Sequence, residues 1–205
     1  MLSITGLEAL RRAAQEILEG ARKAIEELDP EQVEALVDLL VRAKHEGRKV
    51  FVVGMGRSGF VGRAFALRLM NMSYNVYVVG ETITPPAGPG DILIAISGSG
   101  ETLGTVTAAR AAREAGAMVV AITSHPDSEL GRMADLVVVV KGRTKIAKRK
   151  DYIARQMRGE MEPLSPLGTM FENACMVFLD SLIVELMARL GLTEEDIRRG
   201  HPNLE

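Results

Sequence analysis

The sequence predicts an α/β protein, a three-layer sandwich with a five-stranded parallel sheet in the order 2-1-3-4-5. Apolar runs alternate with helical patterns through the middle of the chain, and the connections between them are short. The runs are almost unbroken Val, Ile, Leu and Ala, as in parallel strands that helices cover on both faces. Two glycine-rich turns, each between a strand and a helix, determine the predicted strand order, as argued below.

The predicted elements follow in chain order. Two amphipathic helices come first, over about residues 4–28 and 33–43, with Asp29-Pro30 between them. The predicted strands cover residues 49–53, 75–79, 91–96, 118–123 and 136–140. Further helices are predicted over residues 58–72, 101–115, 128–133 and 169–190. Because the first two helices precede any strand, we expect residues 1–47 to be a helical appendage that packs on a partner subunit.

The remainder of this single predicted domain consists of a sheet core, residues 48–141, and a C-terminal part, residues 142–205. Residues 142–165 are polar and basic, which fits either a long surface excursion or an active-site flap. The helix over 169–190 is apolar almost all round, whereas a surface helix has a polar half. We therefore expect this helix to lie in an oligomer interface.

The composition excludes several classes of protein. A formal net charge of −2 and a pI near 6.0 argue against nucleic-acid binding as the main task. The longest apolar stretch, residues 174–187, contains Asp180 and Glu185, so we expect no membrane span. Cys175 is the only cysteine and lies in an apolar segment, as expected for a core residue of a cytoplasmic protein. No two histidines have the spacing of metal ligands, and we expect no metal site.

The run Ser97-Gly-Ser-Gly-Glu-Thr102 joins the third strand to a helix and predicts an anion site. The first N–H groups of a helix are unpaired and carry the positive end of its dipole, Gly98 and Gly100 allow close approach, and the hydroxyls add donors. There is no Gly-Lys-Ser/Thr ending, which argues against a P-loop nucleotidase and favours the phosphate of a small metabolite. The alternative is that these residues only form a turn and a helix cap.

A second glycine loop, Gly54-Met-Gly-Arg-Ser-Gly59, follows the first strand and has the spacing of a dinucleotide fingerprint. Glu81, after the second strand, occupies the place of the ribose-binding acid in such units. Two points oppose NAD binding: the chain leaves little room for a substrate domain, and the serine loop follows the third strand. In the flavodoxin-like order 2-1-3-4-5, strands one and three are neighbours, so both loops line one crevice. Ser58, Ser97, Ser99 and Thr102 would then meet at one phosphate, with Arg57 beside it or beside the sugar.

Four stretches together resemble the sugar isomerase (SIS) domain family. They are the two glycine loops, Pro163-Leu-Ser-Pro-Leu-Gly-Thr-Met-Phe-Glu172, and the tail His201-Pro-Asn-Leu-Glu205. The similarity covers essentially the whole chain. Within the family it is greatest to the enzymes that interconvert D-arabino-hex-3-ulose 6-phosphate and fructose 6-phosphate, although the tail has Pro202 where those enzymes have alanine.

The resemblance implies a cofactor-free, metal-free ketose phosphate isomerase that assembles as a homotetramer. It implies a sugar phosphate as the partner, and neither nucleic acid nor membrane. The residues expected to bind the substrate belong to the two glycine loops: Gly56, Arg57, Ser58, Ser97, Gly98, Ser99, Gly100 and Thr102.

Moving a carbonyl from C3 to C2 requires a base that removes the C2 proton, and a carboxylate in a partly dry pocket suits this task. Glu172, in the first turn of the apolar helix, is the candidate, with Glu162 in reserve; the alternative is a glutamate that the helix dipole favours. His201 would open the sugar ring or move protons between oxygens, and we expect it to reach a neighbouring subunit. His45 has the position of a C-terminal helix cation, and His125 stays unassigned.

Overall fold

A computed structural model describes residues 7–142, 165, 166 and 168–200. The helices are α1 Glu8–Glu26, α2 Pro30–Glu46, α3 Arg57–Asn71, α4 Leu103–Glu114, α5 Glu129–Met133, α6 Thr169–Leu190 and α7 Glu194–Arg199. The strands are β1 Lys49–Gly54, β2 Asn75–Val78, β3 Ile92–Ile96, β4 Met118–Thr123 and β5 Leu136–Val139.

The five strands form one parallel sheet in the order β2-β1-β3-β4-β5, which confirms the predicted order. In register, Gly54 at the end of β1 is paired with Ile96 at the end of β3. The loops that follow β1 and β3 therefore leave the same edge of the sheet side by side. A sheet with β3 next to β2, as in the classical dinucleotide order, would separate them.

Alternate residues of the strands face two separate apolar cores. On one face, Val52, Ile94 and Ile122 are packed in a cluster with α2, α3 and α6. On the other, Val53, Ala95 and Ala121 belong to a cluster with α4 and α5. The central strands are buried on both faces because helices cover both, which explains why their sequences lack a polar alternation.

Helix α6 is buried largely by its own chain. It packs against α1, α2 and α3, and residues such as Phe171, Phe178 and Leu186 are buried in the first core. Its apolar character is explained by these three neighbours. Its exposed strip carries Val177 and Val184 together with the polar residues Asp180, Ser181, Glu185 and Arg189. A role of this strip in an oligomer interface stays a prediction, as does the packing of the leading helices on a partner subunit.

Two features of the helices at the chain ends were not predicted. Helix α1 exposes Leu7, Leu10 and Leu18 while its opposite side packs on α6. Helix α7 begins with a capping box in which Thr193 and Asp196 exchange hydrogen bonds.

No helix in the described part of the chain combines the length and apolar character needed to span a bilayer. The predicted flap at 142–165 and the tail lie mainly outside the described residues.

Candidate active site

The first glycine loop turns the chain sharply from β1 into α3. Gly56 has φ 58° and ψ −131°, a conformation that favours glycine. At the ends of the loop the strand and helix touch: a Cβ on Gly59 would lie 2.7 Å from the carbonyl oxygen of Gly54. The three glycines therefore serve the turn and the close packing of helix on strand, and they leave the first turn of α3 open towards the second loop.

The second loop is held by its own hydroxyls. Ser97 is buried; its Oγ accepts a hydrogen bond from the Gly100 N–H at 3.2 Å and lies 3.1 Å from Thr102 Oγ1, to which it donates. Ser99 Oγ accepts from the Glu101 N–H at 3.2 Å. Because the hydroxyls of Ser99 and Thr102 both act as acceptors within the loop, each keeps its own proton to donate to a ligand.

Three helices begin at one cavity without a side-chain cap. Gly56, Thr102 and Gly168 are the N-cap residues of α3, α4 and α6, and no side chain of theirs satisfies the first amides of the helix. Side chains do cap α2, α5 and α7. Unpaired N–H groups and the positive ends of three helix dipoles thus converge where the two loops meet. This arrangement suits an anion with several acceptor oxygens.

The cavity has a volume of about 280 Å³. It is lined by residues of both loops and of the start of α6: Met55, Gly56, Arg57, Ser58, Gly98, Ser99, Thr102, Gly168, Phe171 and Glu172. Larger hollows lie between α1, α2 and α6, beside the ends of β1 and β2, and beside α4 and α5. The first is mainly apolar; its serine, Ser181, donates to the Val177 carbonyl, and its two acids, Glu34 and Glu185, are paired with Arg189. The second is lined by neither a hydroxyl nor a carboxylate, and the third by no hydroxyl, so the chemistry favours the smaller cavity.

Glu172 is the carboxylate of this cavity. Its side chain is 13% exposed, and Arg57 Nε donates a hydrogen bond to its Oε2. The N-cap residue Gly168, at φ 92°, leaves room for the carboxylate, since a Cβ there would lie 3.1 Å from Glu172 Oε1. An acid that is mostly shielded from water and paired with one exposed arginine thus lies directly beside the groups expected to bind an anion.

The charge of Glu172 also reaches into the core. Cys175, one turn further along α6, is fully buried, and burial raises the pKa of its thiol well above the usual value. The nearby negative charge of Glu172 raises that pKa further. The thiol therefore stays neutral at physiological pH, and the structure gives it the role of a core residue.

The structure brings most of the expected substrate-binding residues to the cavity and places two behind it. Ser97 and Gly100 are not in its lining; Ser97 bonds within the loop, and a Cβ on Gly100 would lie 1.8 Å from Ser128 Oγ. Both support the loop from behind. That these groups bind a ligand stays a prediction. His201 and Glu162 lie outside the described residues.

Other residues noted in the sequence have separate positions. Glu81, in the place of a ribose-binding acid, forms an ion pair with Arg63 at 2.7 Å. His45 lies in the last turn of α2, as expected for a helix cation. His125 follows β4, where its N–H donates to Thr123 Oγ1, and it does not line the cavity. Among the residues that the structure describes, no three metal-ligand side chains are grouped together.

Three residues of the cavity, Met55, Gly168 and Phe171, were not predicted from the sequence. Met55 lies against α4, because a Cβ on Gly104 would be 2.8 Å from its Cε. Its position in the first glycine loop could have indicated a lining role. Gly168 and Phe171 lie just before the proposed base, Glu172, in the sequence. Their proximity to the cavity could therefore have been inferred from that of Glu172.

Comparisons with known proteins agree with this geometry. Residues 45–155, which include both glycine loops, match the model of the SIS domain family. An uncharacterised protein of Aeropyrum pernix is 55% identical over 182 residues, which cover 89% of this chain and 86% of that protein. The 3-hexulose-6-phosphate isomerase of Bacillus subtilis is 34% identical over 190 residues, 93% of this chain and 96% of that enzyme.

A solved structure extends the similarity to three dimensions. It is that of a Methanococcus jannaschii protein, for which a molecular function of 3-hexulose-6-phosphate isomerase was inferred. The two chains are 34% identical with a TM-score of 0.74, over 97% of this chain and all of the other. On the sequence match, the sheet order and the shared architecture together, this chain belongs to the SIS domain family.

Proposed function

We propose that this protein is a 6-phospho-3-hexuloisomerase, which interconverts D-arabino-hex-3-ulose 6-phosphate and fructose 6-phosphate. The observation that carries the proposal is the meeting of three uncapped helix starts with the shielded carboxylate of Glu172. The helix starts bind the phosphate ester through N–H groups and the hydroxyls of Ser58, Ser99 and Thr102. The carboxylate then faces the carbon chain of the bound sugar.

The reaction needs one base that works on two adjacent carbons. Glu172 takes the proton from C2 while the C3 oxygen gains a proton, which gives a 2,3-enediol. The acid then returns the proton to C3 as the C2 hydroxyl loses its own, and the carbonyl has moved to C2. No electrons are exchanged with the protein. The transfers between the two oxygens require a second acid–base group, which we assign to His201.

We propose that the His201 of this cavity comes from another copy of the chain. Gly200, the last described residue, lies against the end of α3, since a Cβ there would be 2.1 Å from the Asn71 carbonyl oxygen. The cavity is at the other end of this 15-residue helix, about 22 Å away at 1.5 Å per residue. A histidine side chain next to Gly200 cannot cross that distance. We therefore infer a homo-oligomer in which the tail of each chain enters the cavity of a neighbour, and the family resemblance implies that this oligomer is a tetramer.

Isomerase activity and proton exchange test the proposal. The wild-type protein should interconvert the two hexulose phosphates without added metal or nucleotide, and should not act on arabinose 5-phosphate. Glu172→Gln should still bind fructose 6-phosphate but no longer exchange its carbon-bound hydrogen with deuterated water, followed by NMR. Undiminished exchange in this variant would refute the assignment of the base. Activity confined to arabinose 5-phosphate would refute the substrate.

A further inference from the structure

Glu101 is an acid within the proposed phosphate loop, between Ser99 and Thr102. A carboxylate that faced the cavity would repel a phosphate, because like charges a few ångströms apart oppose each other. Glu101 does not line the cavity. Its Oε1 instead accepts a hydrogen bond from the backbone N–H of Glu129, the first residue of α5, at 2.8 Å. The acid is therefore directed to the far side of the loop.

Three further contacts join the loop to the last residue of β4 and to the segment that follows it. The N–H of Leu130 donates to the carbonyl of Gly100 at 3.0 Å, and the N–H of Ser124 donates to that of Gly98 at 3.2 Å. Thr123 Oγ1, 3.4 Å from the same Gly98 oxygen, adds a longer contact. We name residues 123–130 the brace.

The brace determines which way the loop amides point. A trans peptide has its C=O and N–H on opposite sides. With the Gly98 carbonyl turned to the brace, the N–H of Ser99, a residue that lines the cavity, points away from the brace. With the Gly100 carbonyl also turned to the brace, the N–H of Glu101 is free to hold Ser99 Oγ, as observed at 3.2 Å. The donors for an anion are thus oriented from behind.

We propose that Glu101 is a positioning residue whose carboxylate fixes the phosphate loop to the brace, and so sets its affinity for phosphate esters. The inference deepens the proposed function and rests on it. It assigns a purpose to an acid whose charge alone would weaken anion binding. Acceptance of the Glu129 N–H is the essential property, and the negative charge is not.

The test compares the binding of inorganic phosphate, measured by NMR titration, in the wild type and two variants. Glu101→Ala removes both the acceptor and the charge, and should raise the Kd about five- to tenfold, the effect of losing one hydrogen bond. Glu101→Gln keeps an acceptor oxygen and should bind within about twofold of the wild type, or more tightly. If Glu101 acted by repulsion alone, both variants would bind phosphate more tightly, and the proposal would be wrong.

Kinetics and a matched control separate positioning from chemistry. Glu101→Ala should raise KM for the hexulose phosphate by the same factor as Kd, with kcat within about twofold, because the base on α6 is unchanged. Glu129→Gln removes a charge from the brace but keeps its backbone N–H, and should leave the Kd unchanged. An equal loss in this control would show a general charge effect and overturn the proposal.

Two further results complete the test. Should Glu101→Ala not fold, hydrogen exchange in the wild type decides, since the Glu129 amide must be protected as well as the amides of α4; fast exchange overturns the inference. A wild type that binds no phosphate contradicts the proposed function itself. A wild type that binds phosphate, with Glu101→Ala unchanged, contradicts only the role of Glu101.

Discussion

Arg57 and Glu172 form an ion pair at the cavity, between residues 115 positions apart in the sequence. Arg57 begins α3 and belongs to the first glycine loop, whereas Glu172 lies in the first turn of α6. The side chain of the arginine is 63% exposed and that of the acid 13%. The pair therefore connects the group expected to attract the phosphate with the group expected to move the proton.

Replacing Arg57 should damage catalysis more than folding. Arg57→Gln removes a charge beside the anion site and frees the carboxylate to rotate, so we expect kcat/KM to fall about a hundredfold in steady-state kinetics. Arg57→Lys keeps the charge but not the planar donor, and should be intermediate. Arg63→Gln is the matched control, since Arg63 is on the same helix in an exposed pair with Glu81. A similar loss in the control would contradict a specific role of Arg57.

Ser97 and Ser99 should differ in what their hydroxyls do. Ser97→Ala removes a buried hydroxyl that bonds within the loop, and should lower the free energy of unfolding by about 1 kcal/mol and weaken phosphate binding as well. Ser99→Ala should weaken binding and leave stability within about 0.5 kcal/mol. Urea unfolding and phosphate titration measure the two effects. Equal stability of the two variants would show that Ser97 does not organise the loop.

Stability should fall at alkaline pH partly through Cys175. Burial, with the charge of Glu172, raises the pKa of this thiol in the folded protein, whereas an unfolded thiol ionises near pH 8.5. The buried thiol therefore does not affect the free energy of unfolding below about pH 8.5. Above that pH, ionisation of the thiol stabilises the unfolded state, by about 2 kcal/mol at pH 10 while the folded thiol stays neutral. Denaturant unfolding at several pH values should show this loss in the wild type. In Cys175→Ala, the loss of free energy of unfolding between about pH 8.5 and pH 10 should be smaller by this contribution. Identical pH profiles of stability in the two proteins would contradict the role of the thiol.

Two inactive variants should restore each other. If the tail of one subunit serves the cavity of another, then Glu172→Gln and His201→Ala subunits in one oligomer form some complete sites, about a quarter in a random mixture. Co-expressed variants should therefore recover about that share of the wild-type activity, while each variant alone stays inactive. Absence of recovery in proven mixed oligomers would mean that both residues serve a cavity within one chain.

The sheet could be predicted from the sequence because its signals are local. The strands are bounded apolar runs. A single pocket formed by both glycine loops, Gly54–Gly59 and Ser97–Thr102, was the more economical interpretation, and it places β1 next to β3, as observed. The predicted bounds of the strands agree with the structure to within a residue or two. The short helix α7 was missed, although Thr193 and Asp196 have the spacing of a capping box.

The site was harder to predict because it depends on contacts between distant residues. Serines in a loop indicate donors, but nothing local distinguishes Ser97, which bonds inward, from Ser99, which lines the cavity. The pairing of Arg57 with Glu172 and of Glu101 with the Glu129 amide follows from how α3, α5 and α6 pack around the sheet. Periodicity predicts that these helices exist and gives no information on which of their side chains meet.

The three helix starts at the cavity also affect the stability of the whole fold. Their partial positive charges converge on one cavity and repel in the absence of an anion, and among the described lining residues Glu172 is the carboxylate that compensates them. A bound phosphate ester removes this repulsion, and its binding free energy adds to the stability of the folded state. If the proposed function holds, the sugar phosphate is both a reactant and a folding ligand, and the chain without it is the form most exposed to heat and to proteases.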